Sequence, residues 1–137
     1  MSKSNEQNQR SYILKSKSNN WGTPSTIKNR YDGWFDPCPY PRPIWDGLQM
    51  EWKERNFVNP PYDNIGAWAQ KSMEEFKKGK TIHLLIPART DTKYFHQFIL
   101  PYADIEFIKG RLKFVSLDGK SKNFSAPFPS IICKYGT

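Results

Sequence analysis

The sequence predicts an α/β fold, a doubly wound sheet closed by an antiparallel hairpin near the C-terminus. Three observations lead there. Two short apolar runs, Arg55-Asn-Phe-Val-Asn59 and Thr81-Ile-His-Leu-Leu-Ile86, have the length and flanks of buried strands. Between them lies one strongly amphipathic segment, so the three form a strand–helix–strand unit. Three more strand-like runs then crowd the end of the chain with no helix-length segment among them.

Taken in order, residues 1–20 are mostly Ser, Asn, Gln and Lys with little to bury, and are expected to be a disordered basic arm preceding a single domain over 21–137. Thr23 reads as a helix cap with Pro24 at the first helical position, opening a short helix to about Tyr31. Gly33-Trp-Phe-Asp36 reads as a brief strand. The run Pro37-Cys-Pro-Tyr-Pro-Arg-Pro43 ends it, because proline is excluded from a sheet interior. Asp46 to Trp52 has no clear period. From Ile65 to about Lys78 a helix places Ile65, Trp68, Ala69, Met73 and Phe76 on one face, with Gly79 as its stop. Pro87 closes the second strand. A further helix is expected from Thr92 to about Leu100, followed by strands at Ile105–Ile108, Leu112–Val115 and Ser130–Cys133.

A chain of 137 residues with 37% hydrophobic residues can bury one core, and a second full domain is not expected. The formal charge of +8 favours a polyanionic partner, since each phosphate neutralised by Lys or Arg releases counterions. Two distant cysteines, Cys38 and Cys133, with no His cluster argue for free thiols and against a metal site. No apolar run approaches a membrane span, and the start lacks a signal peptide's hydrophobic stretch, so a cytoplasmic protein without a membrane partner is expected.

Asn59-Pro60-Pro61-Tyr62 carries the most chemistry, because it falls where the first buried strand ends. An amide or exocyclic nitrogen is a poor nucleophile because its lone pair is delocalised, so an enzyme that methylates it must hold and polarise the amine. The Asn59 side-chain oxygen and the Pro60 carbonyl could accept its two N–H groups. Pro60 and Pro61 fix the backbone there, and Tyr62 offers a flat face to an extruded base. Positioning then does most of the work, with no metal and no strong general base. The competing reading of the tetrapeptide alone is an ordinary strand-to-helix turn. In an open α/β sheet ligands bind beyond the carboxyl ends of the strands, where Asp36, Asn59 and the Pro87-Ala88-Arg89 turn would lie.

The motifs occur in series. Trp21-Gly-Thr-Pro24, Phe35-Asp-Pro-Cys38, Asp46-Gly-Leu48 with Trp52 beyond, Val58-Asn-Pro-Pro-Tyr62, Leu85-Ile-Pro-Ala-Arg-Thr-Asp-Thr92, Phe107-Ile-Lys-Gly-Arg-Leu-Lys-Phe114 and Ala126-Pro-Phe-Pro-Ser130 together resemble the phage-type DNA adenine-N6 methyltransferase (Dam-like) family. The resemblance implies a compact class I (Rossmann-like) methyltransferase sheet, S-adenosyl-L-methionine as donor, and transfer to the N6 amine of adenine in DNA. It assigns catalysis to Asn59, Pro60, Pro61 and Tyr62. It places Thr23 and Pro24, with Trp21 beside them, at the methionine end of the cofactor. Asp36, Pro37 and Cys38 lie where the first strand meets it, and Asp46 is the candidate for the ribose hydroxyls. Pro37-Cys-Pro stands where many methyltransferases carry a glycine-rich turn.

Arg89, Asp91, Lys109, Arg111 and Lys113 are candidate DNA contacts. Asp91 has the alternative of capping the helix at Thr92, and the three alternating basic residues that of a solvated strand face. His83 reads as a satisfied core histidine and His96 as a helix-surface residue. Trp34, Trp45, Trp52 and Trp68 are expected in the core, and Lys77, Lys78 and Lys80 as solvent charges at a helix end. Double-stranded DNA is the expected partner, with a homodimer or second subunit as a way for so small a chain to embrace a duplex. Two other functions fit the same residues: methylation of an RNA base or a protein glutamine, and DNA binding by a module whose cofactor pocket has decayed.

Overall fold

Residues 55–87 form the expected strand–helix–strand unit. In the computed structural model, which describes residues 22–114 and 124–136, β1 spans Arg55–Val58, helix α2 spans Ile65–Lys77 and β2 spans Thr81–Pro87. The short helix α1, Ser25–Lys28, precedes them. Strands β3 (Asp104–Phe107), β4 (Lys113–Phe114), β5 (Phe124–Ser125) and β6 (Ser130–Tyr135) follow. The tail over 1–20, Trp21 and Val115, the last residue of the strand expected over Leu112–Val115, lie outside the described residues.

The main sheet has the order β1-β2-β6-β3. β1 and β2 are parallel, with Phe57 opposite His83, whereas β6 runs antiparallel to both β2 and β3. The sheet is therefore mixed, and the antiparallel element differs from the expected terminal hairpin. The last strand inserts between β2 and β3, and a separate two-residue ladder joins β4 to β5. The expected strand at Gly33–Asp36 reduces to one parallel bridge, Phe35 to Asn56, on the outer edge of β1.

Register fixes which residues meet. Val58, Ile82, Leu84, Ile86, Ile131, Cys133 and Tyr135 pack with Trp68 and Ala69 of α2 in the larger core. The opposite face, with Phe57, Leu85 and Ile132, is covered by Ile27, Tyr31, Leu112, Phe114 and Ala126, that is by α1, the turn after it and the β4/β5 ladder. A doubly wound sheet would carry full helices on both faces; here one face has a thirteen-residue helix and the other a patchwork. The buried face of α2 includes Ser72 and Glu75, while Met73 and Phe76 are only partly covered.

The remaining differences are local. Pro24 is the cap residue of α1, not its first helical position: its backbone is extended (φ −58°, ψ 145°) and its carbonyl accepts the Ile27 and Lys28 N–H groups. Thr23 is thereby freed from capping. The expected helix from Thr92 becomes a wider π-helical turn, Phe95–Ile99, in which the Thr92 hydroxyl accepts the Phe95 N–H at 3.3 Å. That removes the capping role from Asp91. The ambiguous stretch after Asp46 is one 3-10 turn, Gly47–Gln49. No helix among the described residues is long and apolar enough to cross a membrane.

Candidate active site

β1 ends at Val58, and the next four residues are Asn59 to Tyr62. Pro60 and Pro61 are buried, Asn59 and Tyr62 half-buried. Pro61 is extended (φ −63°, ψ 143°) and turns the chain into a 3-10 turn, Tyr62–Asn64, that leads into α2. The prolines thus do locally what their fixed φ requires: they end the strand and deny it another ladder bond.

The Asn59 amide nitrogen donates to the Thr23 hydroxyl at 3.0 Å, across 36 positions of sequence. The Tyr62 ring meets Phe128 edge-on at 5.4 Å and Phe114 edge-on at 6.4 Å. Its hydroxyl is buried and finds no hydrogen-bond partner among the described residues. Burial raises the Tyr62 pKa, with the Arg89 charge opposing, so the phenol stays protonated and is no base.

Beside Pro61 opens a cavity of about 530 Å³, within the ordinary range of ligand pockets. The proline-rich loop supplies one wall, including Pro37, Cys38, Arg42, Trp45 and Asp46; Pro61, Asp63, Asn64 and Trp68 supply the other. Asp36 accepts the Cys38 N–H at 2.9 Å, and Asp46 accepts the Leu48 N–H at 3.0 Å, which fixes the loop at both ends. Gly47 allows the walls to close, because a Cβ there would lie 1.9 Å from the Pro37 carbonyl oxygen. Burial, with the Asp36 and Asp46 charges, pushes the Cys38 thiol up to about 12, so it is not a nucleophile at neutral pH.

The residues expected at the cofactor divide. Pro37, Cys38 and Asp46 line the cavity, whereas Thr23, Pro24 and Asp36 do not. Trp45, expected in the core, is 40% exposed, stacks on Phe35 and lines the cavity. Trp52 and Trp68 are buried and stacked, and Trp34 is half-buried.

Of the candidate DNA contacts, Arg89 lies over the Phe128 ring at 6.0 Å and so borders Tyr62. Lys109, Arg111 and Lys113 are exposed while Leu112 and Phe114 are buried, which sets the basic side chains beside the strand that supports Tyr62. Asp91 is exposed on the turn before the π-helix. The sequence reading assigned no role to Phe128 or Arg42 and expected Trp45 in the core rather than at a site. All three are loop residues whose partners are set by tertiary closure, and no periodicity marks them.

Among the described residues no group of His, Cys, Asp and Glu side chains is placed to hold a metal ion. A family model described as DNA N-6-adenine-methyltransferase (Dam) matches residues 40–135, well over half of the chain. The chain belongs to the DNA N-6-adenine-methyltransferase (Dam) family. The Dam match contains Asp46, the tetrapeptide and every candidate DNA contact, whereas Thr23, Pro24, Asp36, Pro37 and Cys38 precede it. No curated protein and no solved structure matches the chain.

Proposed function

We propose that the protein transfers a methyl group from S-adenosyl-L-methionine to the N6 amine of adenine in double-stranded DNA. The observation that carries this reading is the Asn59-Pro60-Pro61-Tyr62 turn at the carboxyl end of β1, with Pro61 forming part of the wall of a roughly 530 Å³ cavity. The cavity suits such a donor: Asp46 and Asp63 offer carboxylates to hydroxyl and ammonium groups, Arg42 a guanidinium to a carboxylate, and Trp45 and Trp68 flat apolar surface. When bound, the donor supplies an electrophilic methyl group on a positively charged sulfur.

The chain's own residues hold and polarise the amine. Asn59 and the Pro60 carbonyl accept its two N–H groups and draw the nitrogen lone pair out of conjugation. Tyr62, braced by Phe114 and Phe128, stacks on the extruded base. The donor would give up its methyl group to the nitrogen so held and leave as the neutral thioether, and the proton lost from the nitrogen would pass to water. A protonated Tyr62 and a protonated Cys38 agree with a route that uses no protein base. Thr23, Pro24 and Asp36 complete the cofactor side in this reading, Thr23 and Pro24 where Thr23 meets Asn59, and Asp36 through the Cys38 backbone. Arg89, Lys109, Arg111 and Lys113 are exposed and suited to DNA phosphates, and Asp91, two residues beyond Arg89, is exposed as well.

The test is methyl transfer from labelled S-adenosylmethionine to unmethylated DNA, with nucleoside mass spectrometry. N6-methyladenine should form, and Asn59→Ala should reduce the rate at least about a hundredfold while cofactor binding persists. Full turnover in the variant, or label that never enters adenine, would refute the reading.

A further inference from the structure

We propose that Ile44, in the proline-rich loop, enters the base stack of duplex DNA and fills the place that the target adenine leaves. The inference rests on the methyl-transfer reading above and deepens it by naming a residue that opens the duplex.

Single exposed apolar side chains are ordinary on a protein surface, but a cluster of them marks a contact. Five large hydrophobic side chains are exposed among the described residues, and three of them fall in this loop: Tyr40 at 49%, Ile44 at 106% and Trp45 at 40%. Trp45 stacks on Phe35 at 6.0 Å between ring centres, whereas the exposure of Ile44 leaves it uncovered by any part of the fold. Ile44 stands on the rim of the cavity whose opposite wall includes Pro61, two residues after Asn59. A duplex that delivers an adenine to Asn59 therefore passes the loop. Extruding that base costs its stacking and pairing, and an apolar side chain inserted at the step offsets the lost stacking.

A wedge must also be held firmly, and this loop is stiff. Pro39, Pro41 and Pro43 each fix their own φ and restrict the residue before them, so the backbone from Cys38 to Pro43 has little freedom left to lose. The Asp36 and Asp46 carboxylates tie down its two ends through the Cys38 and Leu48 N–H groups, at 2.9 and 3.0 Å. Isoleucine, branched at Cβ, has few χ1 rotamers open to it. The charge of the loop favours DNA over a second copy of the chain. Arg42 is exposed two residues before Ile44, and no acidic residue stands between Pro37 and Trp45. A two-fold contact centred on Ile44 would bring Arg42 towards its own counterpart, whereas a DNA phosphate pairs with it.

The experiment compares wild type, Ile44→Ala and Ile44→Leu on circular single-stranded DNA and on the same DNA made double-stranded, so that no recognition sequence need be known. One readout is kcat/KM for methyl transfer, by nucleoside mass spectrometry. The other is permanganate oxidation of thymines in duplex bound by the protein with S-adenosylhomocysteine, which reports thymines whose neighbours have left the stack. Ile44→Ala should lower the ratio of duplex to single-strand kcat/KM about tenfold or more, with the KM for S-adenosylmethionine changed by less than about twofold. Ile44→Leu should keep that ratio within about threefold of wild type. Reactive thymines should appear with wild type and Ile44→Leu and be largely lost with Ile44→Ala. An equal loss on both DNA forms would overturn the proposal and return Ile44 to the cavity wall, as would thymine reactivity that does not depend on Ile44. Should wild type act on duplex alone, the thymine readout decides. Wild type that transfers no methyl group yet shows reactivity dependent on Ile44 would refute the proposed function and leave the wedge standing.

Discussion

Gly47 carries the wall of the candidate cofactor cavity by having no side chain. Its Cα faces the Pro37 carbonyl so closely that an added Cβ would sit 1.9 Å from the oxygen and 3.0 Å from the edge of the Trp68 ring. The Gly47 carbonyl accepts the Trp52 indole N–H at 2.7 Å, so the close approach is tied to the core on its far side. Gly47→Ala must push the proline-rich loop away, and overpacking of this kind typically costs about 1–3 kcal/mol. Urea unfolding should show that loss, and calorimetry should show weaker S-adenosylmethionine binding; unchanged values in both would contradict the packing. The sequence shows Pro37-Cys-Pro where the resemblance leads one to look for a glycine-rich turn, but not that Gly47, ten positions on, lies against the Pro37 carbonyl. That approach depends on how the loop folds back on itself. The same limit applies to Thr23, which reads locally as a cap and in the fold accepts the Asn59 amide N–H instead.

Glu75 ties the end of α2 to the start of β2. Its side chain is fully buried, accepts the Trp52 N–H at 3.0 Å, and pairs with Lys71 at 3.2 Å, Lys78 at 3.1 Å and Lys80. Burial alone would raise its pKa; the hydrogen bonds from Lys80, Trp52, Lys78 and Lys71 outweigh that and hold it at about 2. Removing one member of a buried charge network typically costs about 3–5 kcal/mol, because the others are left unpaired. Glu75→Gln should therefore lose about that much in urea unfolding. Lys78→Ala should lose less than about 1 kcal/mol, since its side chain is 49% exposed and solvent screens the pair. Similar losses in the two variants would show that Glu75 is not the hub. The lysines at this helix end thus do more than answer the helix dipole, a role hidden in sequence because a Glu in an amphipathic helix reads as surface. β1, α2 and β2 are legible because the two strands have the length and flanks of buried apolar runs and α2 has a strong local period with a clear stop. The position of β6 is not, because pairing between β2 and β3 is decided by distant strands. The π-helical turn likewise follows from how Phe95 and Ile99 pack into the larger core.

The protein's response to acid combines two groups of buried and half-buried residues on and around the sheet. His83 is 9% exposed on the thinly covered face, with Tyr31 bonded to Nδ1, Trp34 edge-on at 4.8 Å and Nε2 without a partner among the described residues. It is therefore only half satisfied, in contrast to the expectation of a satisfied core histidine. Burial, with the Lys134 and Arg30 charges and against that of Glu106, lowers its pKa to about 4. The unfolded chain protonates His83 first, near 6.5, so the stability it contributes is complete above that pH and is lost as the pH falls towards 4. On β3, Glu106 accepts two bonds from Arg30, at 3.0 and 2.6 Å, and pairs with Lys134 at 2.8 Å. The Arg30 hydrogen bonds, against partial burial and helped by Lys134, hold it near 2, as the lysines hold Glu75. Both carboxylates contribute stability that is present above about 4.5 and lost as the pH falls towards 2. Acid should therefore weaken the fold in two stages, the first belonging to His83. Its shift corresponds to at most about 3 kcal/mol between pH 6.5 and 4. Urea unfolding at pH 7.5, 6, 5 and 4 should show that decline in wild type and a clearly shallower one in His83→Phe, whatever the variant's stability at neutral pH. Equal slopes in the two proteins would place the first stage elsewhere and return His83 to an inert part of the core.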